Sequence, residues 1–275
     1  MRDGARAFVP GHVTGLFSIH RDDDPARAGS RGAGLTLTDG VTVSVRPADE
    51  SVVQLNGERA DVPAVAGVLD ALGVTARVEA ETPLPVGAGF GVSGAMALGA
   101  AYAANTVFNC ERSENALVRF AHAAEVDAGT GLGDVVAQAR GGAPIREEPG
   151  APPYGRLNGV PETARVEYVS FGGLSTSEVL SGDTETLSAA GERALDRLLE
   201  TPTLDQFVAE SRTFAADAGL LTDDIESVVA DVVDAGGRAS MAMLGRTVFA
   251  LGHGLTDAGY DADACQIHPA GARLR

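Results

Sequence analysis

Three glycines at alternate positions, Gly87, Gly89 and Gly91, clear the side chains from the stretch Pro83-Leu-Pro-Val-Gly-Ala-Gly-Phe-Gly-Val-Ser-Gly-Ala95. A run of small apolar residues, Ala95 to Ala104, follows and predicts a buried helix. A bare backbone running into a helix N-terminus restricts the local fold to a tight turn feeding a helix. It also suggests a chemistry, because exposed N–H groups and the positive end of the helix together cradle a phosphate. Without a ligand, the same stretch is only a tight strand-to-helix turn.

Composition narrows the choice. The chain has 275 residues, enough for one large domain or two lobes, and its 38 acidic residues outweigh 21 basic ones for a net charge of −17. Every basic residue is arginine, since the sequence holds no lysine. That excess of negative charge argues against a nucleic-acid partner. A lysine-free acidic surface rich in Asp, Ala, Gly and Val suggests a halophilic protein, whose self-repulsion is screened by salt. The absence of lysine also removes the P-loop, which ends in a phosphate-binding Lys, and Schiff-base chemistry. No signal-like segment and no apolar run of membrane-spanning length occurs, so the expected setting is cytoplasmic with no membrane partner. Cys110 and Cys265 lack metal-ligand spacing and are expected to be buried thiols.

Along the chain, Ala7 to Ile19 reads as a strand broken at Pro10-Gly11, and residues 21–34 as a polar loop. Leu35 to Val45 alternates with period two around Asp39-Gly40, a hairpin signal. Val52 to Leu55 adds a strand with turn residues Asn56-Gly57. Pro63 to Leu72 is helical and closed by Gly73, and Thr75 to Thr82 alternates as a half-buried strand. Ser113 is a candidate N-cap for a helix from Glu114 to Asp127, with Leu117, Phe120, Ala121 and Ala124 inward. Gly129-Thr-Gly-Leu-Gly133 then breaks the chain. Residues 141–163 are rich in Pro and Gly and suggest a loop at a lobe boundary. Beyond them come a strand from Ala164 to Phe171, helices near 184–200, 203–218 and 222–235, and a strand from Thr247 to Leu251.

Several side chains are candidates for chemistry. Gly89-Phe-Gly-Val-Ser-Gly94 satisfies the dinucleotide pattern Gly-x-Gly-x-x-Gly, the basis of an alternative NAD(P) oxidoreductase reading. Pro83 and Pro85 interrupt the strand that pattern needs, and no acidic residue closes a strand about 20 residues on. Ser93 is placed either to cap the helix or to ligate Mg²⁺ or a phosphate oxygen. His122 and Glu125 share a helix face, as structural residues or as site residues. Glu125 and Asp134 flank the glycine-rich break, a spacing suited to one metal ligand and one base. Arg146 and Arg31 sit in glycine-rich stretches, as solubilising charges or as clamps for a carboxylate. Thr176 and Ser177 are either helix caps or substrate hydroxyls.

Taken in order, these pieces resemble the GHMP kinases. Pro85-Val-Gly-Ala-Gly-Phe-Gly-Val-Ser-Gly-Ala95 is similar to their Pro-x-x-x-Gly-Leu-Gly-Ser-Ser-Ala signature, and Pro10-Gly-His-Val-Thr-Gly-Leu-Phe17 to their N-terminal motif. Glu125 and Gly131-Leu-Gly-Asp134 fall where the family keeps its Mg²⁺ glutamate and active-site aspartate. Within the family, Phe8 to Thr14, Gly29 to Leu35, His122-x-x-Glu125, Thr130 to Gln138 and Gly141-Gly142 resemble kinases of a small hydroxy acid. Departures are His12 where many members carry Lys, Val92 in place of the first serine of the pair, and Ala239 to Arg246 in place of the third motif.

The resemblance implies an α+β fold of two lobes, a ribosomal-protein-like N-terminal lobe over 1–150 and a ferredoxin-like C-terminal lobe over 151–275. It implies ATP and Mg²⁺ as cofactors. Pro85, Gly87, Ala88, Gly89, Gly91 and Ser93 would bind the nucleotide, and Ser93 and Glu125 the metal. Asp134 would be catalytic, and Ser30, His122, Arg146 and Thr176 would bind the small-molecule substrate, with Arg31 in reserve. A homodimer follows by analogy. The alternatives within the family are a homoserine, mevalonate or sugar kinase, and a non-catalytic ATP-binding relative.

Overall fold

The computed structural model describes residues 2–173, 184–243 and 245–275. Two long strands, β1 (Ala5–His20) and β2 (Gly29–Pro47), pair antiparallel over their length. The hairpin expected at Asp39-Gly40 does not form, and only residues 21–28 remain as loop. Instead the register shifts where Pro10 faces Gly40 and Gly11 faces Leu37. Pro10 has no N–H to give the ladder, so the turn-like residues opposite it absorb a bulge rather than reverse the chain. β1 likewise bends at Pro10-Gly11 without breaking.

The remaining early elements follow local chemistry closely. β3 (Val52–Leu55) and β4 (Glu58–Arg59) are joined through Asn56 and Gly57, both at positive φ as a two-residue hairpin turn requires. α1 (Pro63–Leu72) starts on a proline and ends on Gly73 in the left-handed conformation. β5 (Ala76–Glu81) pairs antiparallel with β2 and parallel with β3. α2 (Val92–Phe108) is nearly all buried and packs on β1 and β2. Its glycines and alanines permit this approach: a Cβ on Gly99 would lie 2.5 Å from the Val43 side chain.

α3 (Glu114–Ala128) is capped by the Ser113 hydroxyl, which accepts from the Ala116 N–H. Its buried face is Leu117, Val118, Ala121, His122 and Glu125, so two polar residues point inward. Phe120 and Ala124, expected inside, are half-buried. α4 (Asp134–Arg140) follows the glycine break. The stretch expected as a loop over 141–163 instead carries β6 (Ala143–Glu148) and β7 (Arg156–Val160), an antiparallel pair that extends the first sheet from β2.

The second sheet has the order β11–β8–β10–β9, all antiparallel, from β8 (Arg165–Gly173), β9 (Arg238–Ala242), β10 (Gly245–Leu251) and β11 (Asp263–Gln266). Its helices are α5 (Thr184–Glu200), α6 (Leu204–Asp217), α7 (Asp223–Asp234) and the short α8 (Gly254–Asp257). A final strand, β12 (Arg273–Leu274), returns to pair with β1. β7 and β12 thus belong to the first sheet although both lie beyond residue 150. α5 packs on β1, where Glu192 accepts from Ser18 and His20 and pairs with Arg31. Cys265 is buried and Cys110 half-buried. Among the described residues, no helix is long and apolar enough to cross a membrane.

Candidate active site

The glycine stretch leaves β5 and turns on Gly87, Gly89 and Gly91 at φ of 76°, 89° and 63°, a region where residues with side chains are strained. Its outer surface rests on the second sheet. A Cβ on Gly89 would be 2.8 Å from the Met243 carbonyl, and the Thr247 hydroxyl donates to the Ala88 carbonyl at 2.9 Å. The Met243 N–H in turn donates to the Thr14 carbonyl at 2.9 Å. α2 begins at Gly91 with no side-chain cap, so the first N–H groups of the helix remain free for an anion.

Ser93 does not cap. Its hydroxyl donates to Glu125 Oε1 at 2.5 Å. Glu125 is only 2 % exposed, and burial pushes its carboxyl up to about 7 against the pull of the Ser93 bond. The facing loop comes close: a Cβ on Gly131 would lie 2.5 Å from Glu125 Oε2 and 3.5 Å from Asp134 Oδ2. Only glycine lets this turn pass between the two carboxylates. A hydroxyl and a carboxylate are the hard oxygen donors Mg²⁺ takes. Among the described residues, no three His, Cys, Asp or Glu gather to hold a metal unaided.

Asp134 opens α4. His12, fully buried on β1, lies 2.7 Å from Asp134 Oδ1 through Nδ1. Burial pushes the Asp134 carboxyl up, but the His12 hydrogen bond and the Arg146 charge outweigh it and hold the group below the usual carboxylate range. Burial lowers the His12 ring against the pull of Asp134. The pair is therefore an ionised carboxylate accepting from a neutral imidazole. Gln138, one turn further along α4, donates to the Gly91 carbonyl at 2.9 Å and ties this helix to the glycine loop.

Behind Asp134 lies Arg146 on β6, paired across from Gly32 and only 2 % exposed. Its Nε and Nη1 atoms are buried without a hydrogen-bond partner, and burial pushes the guanidinium down to about 10. The Ser30 hydroxyl donates to the Leu132 carbonyl at 3.3 Å. Both sit under the same loop: a Cβ on Gly133 would be 2.5 Å from Ser30 Oγ and 2.6 Å from Arg146 Nε. His122 Nε2 donates to the Ala28 carbonyl at 2.8 Å, and burial lowers its pKa. Arg31 does not join them. It pairs with Glu192 and donates to the Glu147 carbonyl at 2.8 Å, linking α5 to the first sheet. Thr176 and Ser177 lie outside the described residues.

These groups surround a cavity of about 380 Å³. Of the residues singled out in the sequence, Gly87, Gly89, Gly91, Ser93, Glu125 and Asp134 line it. Pro85 and Ala88 do not, and Ala88 is buried behind the loop. Ser30, His122 and Arg146 also stand outside its wall, beneath residues 129–133. Thr14, Leu55, Asp61, Val62, Pro63, Met96 and Met243 are among the other lining residues. The apolar ones among these carry no signal in a single sequence beyond core-like character. Thr14 was within reach, because it closes the Phe8–Thr14 motif.

Residues 60–142 match the model of the GHMP kinases N-terminal domain. The chain is 35 % identical to the pantoate kinase of Methanocaldococcus jannaschii over 89 % of its length and 91 % of that protein. It is 34 % identical to the pantoate kinase of Thermococcus kodakarensis, covering 90 % of this chain and 87 % of the other. A solved structure described as a phosphotransferase related to the CoA biosynthesis pathway superposes with a TM-score of 0.88 at 29 % identity, covering 99 % of this chain and 98 % of that one. A homoserine kinase from Cytophaga hutchinsonii shares the fold, with a TM-score of 0.71 at 16 % identity over 100 % of this chain and 98 % of that one. From the glycine cradle to the buried carboxylates, this chain belongs to the pantoate kinase family of the GHMP kinases.

Proposed function

We propose that the protein transfers the γ-phosphoryl group of ATP to the 4-hydroxyl of pantoate, a step of coenzyme A biosynthesis. The observation that carries the choice of acceptor is Arg146. Its unpartnered, buried guanidinium nitrogens lie beneath the loop that ends in Asp134. A buried cation with free donors calls for an anion, and the carboxylate of a small hydroxy acid supplies one. The curated relatives at 34–35 % identity, named as pantoate kinases, support the same acceptor.

In this reading the N–H groups of Gly87 to Ser93 hold the triphosphate. Ser93 and Glu125 hold Mg²⁺, which when bound neutralises charge on the phosphoryl oxygens. Arg146, with Ser30, His122 and Thr176 as further contacts, binds the acid and turns its hydroxyl toward Asp134. The hydroxyl oxygen forms the new P–O bond while the bond to the leaving ADP oxygen breaks, and the hydroxyl proton passes to Asp134. Because Asp134 is held ionised, it accepts the hydroxyl's hydrogen bond throughout the neutral range, and aligning the attack is its first task. The nucleotide grip and the acid contacts Ser30, His122 and Arg146 then lie within the first 150 residues, and Thr176 is the contact from beyond them. The acidic surface supports a cytoplasmic enzyme adapted to high salt.

ADP release measured with Mg·ATP in molar salt tests the reading against pantoate, homoserine, mevalonate and galactose. Turnover with pantoate well above the other three is expected. Faster turnover with another acceptor reassigns the substrate, and nucleotide binding without turnover on any of them makes the chain a non-catalytic relative. Sedimentation in the same buffer tests the homodimer.

A further inference from the structure

We propose that His12 is a positioning residue for phosphoryl transfer: its Nδ1–H fixes the Asp134 carboxylate through Oδ1 and leaves Oδ2 for the acceptor hydroxyl. The proposal rests on the reading above, in which Asp134 faces that hydroxyl.

The imidazole is held on every side. It is fully buried, its backbone N–H donates to the Phe90 carbonyl at 3.0 Å, and it faces Thr36 across the β1–β2 ladder. The ring lies against Gly34 on β2, where any Cβ would overlap Nε2. Gly34 therefore makes the space in which the imidazole sits. Nδ1 has one short contact, 2.7 Å to Asp134, and a longer one of 3.5 Å to the Thr14 hydroxyl. Nε2 is buried and has no partner.

These contacts settle the ring's form. A proton on Nε2 would be a buried donor with no acceptor, whereas a lone pair there is the less costly orphan. A neutral ring with its proton on Nδ1 matches both nitrogens, and the lowered pKa of His12 agrees with it. His12 thus supplies direction without charge. The positive charge near Asp134 comes from Arg146, whose free nitrogens are left for the substrate. Orientation of the catalytic carboxylate and neutralisation around it are divided between two side chains on different strands.

Three variants test this, with kcat and KM for ATP and pantoate measured separately. His12→Leu fills the space without a donor, and kcat should fall roughly 100-fold with both KM values changed less than about threefold. His12→Asn places an amide N–H near the position of Nδ1 and should recover about tenfold of that loss. Asp134→Ala separates the proposal from the reading beneath it. If Asp134→Ala remains active, that reading fails. If Asp134→Ala is inactive while His12→Leu keeps its kcat, only the role of His12 fails. Equal losses in folded Leu and Asn variants also overturn it, because a merely structural ring would not be rescued by a donor at one nitrogen. Nitrogen NMR of the wild-type ring stands independent of variant folding. A neutral Nδ1–H tautomer at about pH 7 is expected, and a cationic ring or an Nε2–H tautomer overturns the proposal.

Discussion

Around Gly87 to Ser93 the polar groups of the loop are backbone atoms or are already paired. Ser93 is bonded to Glu125, the Ala88 carbonyl to Thr247 and the Gly91 carbonyl to Gln138. Around Asp134 the balance is reversed: His12 Nε2 and Arg146 Nε and Nη1 are buried without partners, as is the Gln138 oxygen one turn away. The phosphate side is shaped by glycine conformation and is complete without a ligand. The acceptor side is assembled from buried polar side chains, and among its unpartnered atoms the Arg146 nitrogens are the donors that the proposed anionic substrate would satisfy. In the proposed function, one half of the site reads a common group, a triphosphate, with backbone, and the other reads a particular acid with charge.

The largest effect should come from Asp134→Ala. Loss of the acceptor group should lower kcat by about 10³-fold with the KM for ATP nearly unchanged, as measured by ADP release. A comparable rise in that KM would erase the division between the two sides.

Arg146→Met sharpens the contrast most directly. Losing a charged hydrogen bond of about 1.5–3 kcal/mol should raise the KM for pantoate roughly 10- to 100-fold and leave the KM for ATP unaltered. A thermal melt should show Tm unchanged or higher, since the variant removes a buried cation with unpartnered nitrogens. A large fall in Tm would mean that the arginine holds the fold rather than the substrate.

Gly91→Ala makes the opposite test. A left-handed residue at φ 63° with the Gln138 amide 3.0 Å from the new Cβ costs about 1–2 kcal/mol, to be read as a weaker KM for ATP by roughly 5- to 30-fold. The KM for pantoate should hold.

The smallest effect lies outside both halves. Burial pushes the Glu192 carboxyl up, but Ser18, Arg31 and His20 together hold it below its usual value. A depressed carboxylate stabilises the fold above its unfolded pKa of about 4.3, and that stabilisation is lost as pH falls through the folded value. Glu192→Gln should therefore lower Tm by about 2 °C at neutral pH, with the two melting curves converging in acid and kcat untouched.

How far the sequence revealed this molecule follows the same division. Local chemistry marked the phosphate side: Gly73 and Ser113 delimited helices, and Gly87, Gly89 and Gly91 announced the turn. Asp39-Gly40 misled because the bulge was imposed by Pro10, a residue on the neighbouring strand. Residues 141–163 read as loop because they are rich in Pro and Gly, and only the pairing of β6 with β2 and of β7 with β6 makes them strands. The residue types at Glu125, Asp134 and Arg146 were visible, but their burial was not. The link between His12 and Asp134 spans 122 positions and leaves no periodic trace in one sequence. Spacing and family resemblance suggested Glu125 and Asp134, and the resemblance added Arg146, but neither linked His12 to Asp134.

Gly245 meets Ala88 and Gly89 backbone to backbone, with no room for a side chain between them. The two sheets therefore share a seam at the phosphate loop. Any opening of the second sheet must disturb the cradle, and a filled cradle must resist that opening. The amides of β10, a strand that does not line the cavity, should exchange with solvent more slowly once Mg·ATP is bound. Slower exchange there would make the nucleotide a staple for a strand it does not touch.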